Sequence, residues 1–191
     1  MGPTDPTAVS PSDPAAELVE WVDADGSVID VVTRERVRAE TLRHRCTYVA
    51  VLTTDDDLIV HQRADWKDVY PSYWDLAFGG ITGVGEPWDE AARRELAEEA
   101  GVEGTELVPL GPVRYDADDG HIVGRVYLTR HDGPLSCPDG EVVATGRVPL
   151  AGIDRWLEGR RVCLDSLQLV LPLVRAAVEG AGNGADEAPG S

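Results

Sequence analysis

The sequence predicts one α/β domain, or an α+β variant of it, in which a sheet is layered with helices. Three observations predict it. Pairs of β-rich runs flank turns rich in Asp and Gly, three longer stretches read as helices, and the two kinds of segment are interleaved along the chain. A chain of 191 residues, 42% hydrophobic and 27% charged, has the size of one domain with a self-sufficient core.

Taken in order, residues 18–22 and 28–34 flank Asp25-Gly26, a favourable hairpin turn. Residues 34–42 read as a short helix. The runs 46–53 and 58–63 are separated by Thr54-Asp55-Asp56-Asp57 and predict a second hairpin. Residues 113–116 and 121–130 repeat the pattern around Asp118-Asp119-Gly120, and a further strand is expected over 144–150. Helices are expected over 88–100, 151–158 and 165–179. Residues 1–16 and 180–191 are rich in Pro, Gly, Ser and Ala, so both are expected to be disordered tails around a domain spanning 17–179.

Charge excludes several roles. The net charge is −18, and the tails carry only four of the acidic side chains. Such a body repels nucleic-acid polymers and anionic lipid surfaces, so an anionic small molecule needs local cations or a metal to bind. Cys46, Cys137 and Cys163 form no CxxC pair, which signals neither a disulfide framework nor a zinc site and suits a reducing, cytoplasmic setting. The start of the chain lacks a secretory pattern. The most apolar stretch, 164–178, is interrupted by Gln168, Pro172 and Arg175 and is too short to span a bilayer, so no membrane role is expected.

The helix expected over 88–100 carries the chemistry. Pro87 suits a first turn, Asp89 and Glu90 suit the positive end of the helix dipole, and Gly101 suits a left-handed cap. Ala92, Leu96 and Ala100 would face the core. Glu95, Glu98 and Glu99 stand at i, i+3 and i+4 and point to one side. Glutamates on a helix are usually a solvated face, yet like charges stacked this way repel. Three convergent carboxylates make sense around a hard divalent cation such as Mg²⁺, which takes oxygen ligands. Glu86 and Arg94 are expected to pair and brace the loop against the helix.

Read together, Gly80, Glu86, Arg94, Glu95, Leu96, Glu98, Glu99, Gly101 and Val102 complete the pattern G-x5-E-x7-R-E-U-x-E-E-x-G-U, where U is aliphatic. This is the Nudix box, and the chain resembles a Nudix hydrolase over about residues 18–178. The resemblance implies an α/β/α sandwich with a mixed β-sheet and hydrolysis of a nucleoside diphosphate linked to another moiety, or of a related small diphosphate. It implies that Glu95, Glu98 and Glu99, helped by the carbonyl of Gly80, ligate Mg²⁺ or Mn²⁺. It also implies a general base drawn from the box, where Glu95 and Glu98 qualify, or from a later loop. There Glu141 is the first choice, with Asp116, Asp118 and Asp119 as alternatives that are equally good turn formers. A homodimer is compatible with the resemblance.

Upstream of the box, His61-Gln62-Arg63-Ala64, Lys67, Pro71 and Trp74 resemble the isopentenyl-diphosphate-isomerase-like branch of the family. There the positions of Arg63 and Lys67 carry basic residues that bind the substrate diphosphate; the competing reading is an ordinary charged strand end. The isomerases also place a catalytic cysteine before the box glycine and a metal-binding histidine after it. Here those positions are Gly79 and Ile81, which implies a hydrolase on an isomerase-like frame. An isomerase-type enzyme and a catalytically silent Nudix module that senses a nucleotide remain the alternatives. Of Trp66, Tyr70, Tyr73, Trp74 and Trp88, one could stack on a base, although core packing is the commoner role. His44, His61, His121 and His131 lack ligand spacing and are expected in surface or strand roles.

Overall fold

The computed structural model describes residues 14–185. Strands β1 (Leu18–Val22) and β2 (Val28–Thr33) form the first expected hairpin as a separate two-stranded sheet. Thr33 then caps α1 (Arg34–Ala39), its hydroxyl accepting the Arg36 N–H at 3.3 Å. This helix ends earlier than the expected residue 42, with Thr41 in a left-handed conformation.

The main sheet is mixed. Strand β3 (His44–Leu52) runs parallel to β7 (Gly120–Arg130), from His44 opposite Ile122 to Leu52 opposite Arg130. Strand β6 (Val108–Ala117) pairs antiparallel with β7, completing the third expected hairpin. Strand β4 (Asp57–Arg63) lies antiparallel to β8 (Val142–Pro149) and, at its far end, to the short β5 (Trp74–Asp75). The second expected hairpin needs a correction. Strands β3 and β4 are joined by the Asp-rich turn but pair only at Leu52 and Leu58, then splay apart. The chain from residue 74 to residue 82 fills the wedge: Val49 and Phe78 exchange hydrogen bonds at 2.7 and 3.0 Å, and the Thr47 N–H donates to Gly80 O at 3.0 Å. That wedge carries the box glycine to the middle of the sheet.

Alternation along β3 builds both layers. Val49 and Val51 face α2 (Trp88–Ala100), packing with Phe78, Ala92, Leu96, Ala100 and Tyr127. Tyr48, Ala50 and Leu52 face the other way, into a core shared with Val19, Val37, Ile153, Val170 and Val174. The second layer comprises the β1–β2 hairpin, α1, α3 (Ile153–Leu157), a π-helical turn at Ser166–Val170 and α4 (Leu171–Ala185). The result is an α/β/α sandwich around a mixed sheet. The helix expected over 151–158 is shorter, a 3₁₀ turn at Leu150–Gly152 leading into α3.

The last helix also runs past its expected end at residue 179. Helix α4 runs on to Ala185, because extending a helix already anchored by packing needs far less than starting one. Of the expected N-terminal tail, Pro14–Ala16 instead forms a 3₁₀ turn, while residues 1–13 and 186–191 lie outside the described residues. Among the described residues, no helix is long and apolar enough to cross a membrane.

Candidate active site

Helix α2 forms with the expected bounds. Ala92 and Ala100 are fully buried and Leu96 nearly so, which fixes the rotation of the helix and therefore the direction of its carboxylates. Gly101 ends the helix at φ 66°, and the Val102 N–H reaches back to Leu96 O at 3.4 Å. The loop before the helix is braced as expected. The Arg94 guanidinium donates through Nε and Nη2 to the two Glu86 carboxylate oxygens, both at 2.9 Å, while Glu86 Oε2 accepts the Gly83 N–H at 2.7 Å. These donors hold the Glu86 carboxyl below the usual range.

The three glutamates line one cleft of about 310 Å³, but in different states. Glu99 is 3% exposed and accepts the Gly79 N–H at 2.9 Å. Burial, reinforced by the charge of Glu95, pushes its carboxyl well above the ordinary value. Glu95 is also largely buried, and burial raises its carboxyl to about 7 against the pull of Arg94. Glu98 stays at the mouth, with its side chain 53% exposed. Arg94 does more than brace: Nη1 donates to Glu95 at 2.8 Å and to Glu98 at 3.0 Å. Among the described residues, no three His, Cys, Asp or Glu side chains are gathered closely enough to cage an ion as they stand.

The donor set nevertheless fits a hard cation. All the donors are oxygens, Glu99 is buried with the largely buried Glu95 beside it, and Gly80 is bare where it meets Glu95. A Cβ at Gly80 would lie 2.8–2.9 Å from the Glu95 carboxyl atoms, so only glycine leaves that space open. Gly80 O accepts the Thr47 N–H and keeps a second lone pair. At Gly79, where the isomerases have cysteine, a Cβ would come within 2.0 Å of Thr47 O, so this backbone holds no side chain there.

The basic and acidic candidates outside the box sort clearly. Arg63 and Lys67 both line the cleft, as does Glu141. Lys67 Nζ donates to the Glu141 carboxylate. Arg63 donates to Val69 O at 3.2 and 3.0 Å and lies 3.7 Å from Asp75, so it also supports the 64–73 loop. Asp116 and Asp118 do not line the cleft, and Asp116 is held by Arg43, Arg114 and His121, which lower its carboxyl to about 2. Asp119 does reach the cleft but accepts from the Tyr70 and Tyr115 hydroxyls.

Among the aromatics, Tyr70 lines the cleft, Trp66 is exposed, and Trp88 is held between Arg45 at 4.1 Å and Arg125 at 5.6 Å. His44 and His61 are buried on strands, and burial lowers each to about 4; His44 also lines the cleft. Sequence reasoning missed Arg34 and Arg38, which line the cleft from α1, and Tyr48 and Asp165, joined by a hydroxyl–carboxylate bond of 3.0 Å. The i, i+4 spacing of the two arginines was a usable signal, since it puts them on one helix face. Nothing local marks Asp165.

Comparison with known proteins decides the family. The family model for the NUDIX domain matches residues 42–166. The chain belongs to the Nudix hydrolase family. The enzyme class expected from the box, a pyrophosphohydrolase, follows from that membership. An uncharacterized Nudix hydrolase of Pseudomonas aeruginosa is 34% identical over 127 residues, covering 66% of this chain and 75% of that one. Another from Streptomyces coelicolor is 36% identical over 151 residues, covering 76% and 80%. Two solved structures share the Nudix fold. A Deinococcus radiodurans protein aligns with TM-score 0.69 at 22% identity, over 84% of this chain and 98% of that one. The NUDIX domain of Shewanella oneidensis NrtR, complexed with ADP ribose, aligns with TM-score 0.60 at 18% identity, over 77% and 99%. The family match begins at residue 42, so the β1–β2 hairpin and α1 lie outside it.

Proposed function

We propose that this Nudix hydrolase is divalent-metal-dependent and cleaves the diphosphate linkage of a nucleoside diphosphate derivative or a related small molecule. One observation carries the reading: Glu99 is buried, Glu95 beside it largely so, and Glu95 abuts a glycine whose missing side chain leaves room between loop and carboxylate. Two buried carboxylates repel and resist ionisation, an arrangement that a cation would relieve. Glu95, Glu98, Glu99 and Gly80 O would hold Mg²⁺ or Mn²⁺, which when bound screens phosphate charge and makes water a better nucleophile. Glu98, half-exposed, is free to turn from Arg94 toward such an ion.

The chain's own residues supply the rest. Arg63 and Lys67 would neutralise and orient the diphosphate entering an otherwise acidic cleft. Glu141 would accept the proton of the attacking water, with Lys67 holding its carboxylate in place until substrate competes for the ammonium. The ADP ribose bound by the NrtR domain supports a nucleoside diphosphate derivative as the substrate class.

The test is a panel of nucleoside diphosphate derivatives, nucleoside triphosphates and dinucleotides with Mg²⁺ or Mn²⁺, scored for phosphate release. Glu98→Gln and Glu99→Gln should each cut turnover at least about a hundredfold with the fold retained. Full activity in both variants would contradict the assignment. The second reading, a silent sensor module, draws on the Arg94 contacts, which already compensate Glu95 and Glu98. Tight binding without turnover across the panel would favour it.

A further inference from the structure

Arginines are scarce relative to carboxylates here, and most are paired. Of the sixteen, ten have a carboxylate oxygen within 4 Å. Four of the other six, Arg147, Arg155, Arg160 and Arg161, stand on β8 and the segment after it. Three of these, with Trp74 and Trp156, line a second groove of about 420 Å³ that shares no residue with the catalytic cleft. Arg147 donates only to the backbone carbonyls of Asp132 and Gly133. Arg160 donates to Trp156 O and lies over the Trp156 ring at 4.8 Å. Arg155 has no hydrogen-bond or ion-pair partner among the described residues, and the neighbouring Asp154 is taken by Arg175. In a chain of net charge −18, this groove is lined by three exposed arginines and, among the described residues, by no Asp or Glu.

The floor is aromatic and open. The Trp74 and Trp156 rings meet edge to face at 5.4 Å and 85°, which leaves both only partly covered. Gly146 lies on the same floor, where a Cβ would press on Val60 at 3.3 Å. Guanidinium groups beside aromatic rings recognise phosphate and planar bases together. The acidic body repels a polymer, so the chemistry fits a small ligand, and the volume lies in the range of small-molecule sites.

We infer that this groove is a second ligand site, for a small phosphorylated molecule bearing a planar ring, of the nucleotide class. Arg155 and Arg160 neutralise the phosphates, and Trp156 with Arg147 receives the ring. Strand β5 joins the groove to the catalytic cleft, since Trp74 lines the former and its neighbour Asp75 the latter.

The test is calorimetric titration of the full chain with ADP at low salt in EDTA, with the Trp156 indole N–H followed by NMR. The site predicts saturable binding and a shifted Trp156 signal. Arg155→Glu with Arg160→Glu should weaken binding at least about tenfold, whereas Arg63→Ala in the catalytic cleft should leave the Trp156 shift unchanged. Inorganic pyrophosphate should bind more weakly than ADP because it lacks the ring. Both arginines are exposed, so an unchanged melting temperature in the double variant confirms that its fold is intact. No saturation, an unaffected double variant, or loss of the Trp156 shift in Arg63→Ala would overturn the inference. Pyrophosphate binding equal to that of ADP would refute the ring half of it. None of these outcomes depends on hydrolysis.

Discussion

The catalytic cleft and the β8 groove present opposite solutions to placing charge. In and beside the cleft, carboxylates are wholly or partly buried and compensated: Glu99 by the Gly79 N–H, Glu95 and Glu86 by Arg94, Glu141 by Lys67. In the groove, Arg147, Arg155 and Arg160 are exposed, and among the described residues no carboxylate pairs with them. The difference teaches that burial, not residue type, decides whether a charge is tuned or merely displayed. A buried carboxylate changes its proton affinity and the stability of the fold, while an exposed guanidinium waits in water at little cost.

Several measurements can break that contrast. The largest effect on stability is expected from the buried histidines. His61 stacks on Phe78 with ring centres 4.4 Å apart, and burial keeps it neutral in the fold down to about pH 4, whereas an exposed histidine takes its proton near 6.5. Between those values His61 binds its proton more readily in the unfolded chain, so its own contribution is full above pH 6.5 and falls by about 2–3 kcal/mol as pH drops toward 4, while the raised Glu95 and Glu99 carboxyls act in the opposite sense. Denaturant midpoints measured across that window check it. The stability of a His61→Phe variant relative to wild type should rise as pH falls from 6.5 to 4, and a difference independent of pH would mean that the ring is not buried.

A smaller loss is expected from Glu86→Ala, which removes the partner of Arg94 at a position partly screened by water. Stability should fall by about 1–2 kcal/mol, read from chemical denaturation, with turnover falling as the loop loosens. Arg63→Ala should raise KM for a hydrolysed diphosphate about tenfold, more than it lowers kcat, since the contact is made equally in ground and transition states. An unchanged KM would remove Arg63 from the site. At the other extreme, Arg155→Ala in the groove should leave stability within about 0.5 kcal/mol, because the side chain holds no partner to lose.

The same contrast explains what was legible in the sequence. Helix α2, its buried stripe, its glycine cap and the Glu86–Arg94 brace were all readable, because each depends on neighbours within a few turns of the same segment. The sheet was only half readable. The Asp-rich turn between β3 and β4 looks like a hairpin turn and is one, but the splay beyond Leu52 and Leu58 depends on Phe78 and Gly80 arriving from elsewhere in the chain. The parallel pairing of β3 with β7 has no local signature either. The cleft followed the same rule. The box named one wall, whereas Arg34, Arg38, Tyr48 and Asp165 come from three other segments that only tertiary packing brings together. Asp116 and Asp118, attractive as turn carboxylates beside a strand, end outside it.

Under the proposed function, a divalent cation joins the buried Glu99 to the largely buried Glu95. Titrating Mn²⁺ into the full chain, with the free ion followed by electron paramagnetic resonance, tests it without any substrate. A saturable site is expected in the wild-type chain, weakened at least about tenfold in Glu99→Gln, where one anionic ligand is lost while the shape is kept. Absence of that site, or a site indifferent to Glu99→Gln, would contradict it.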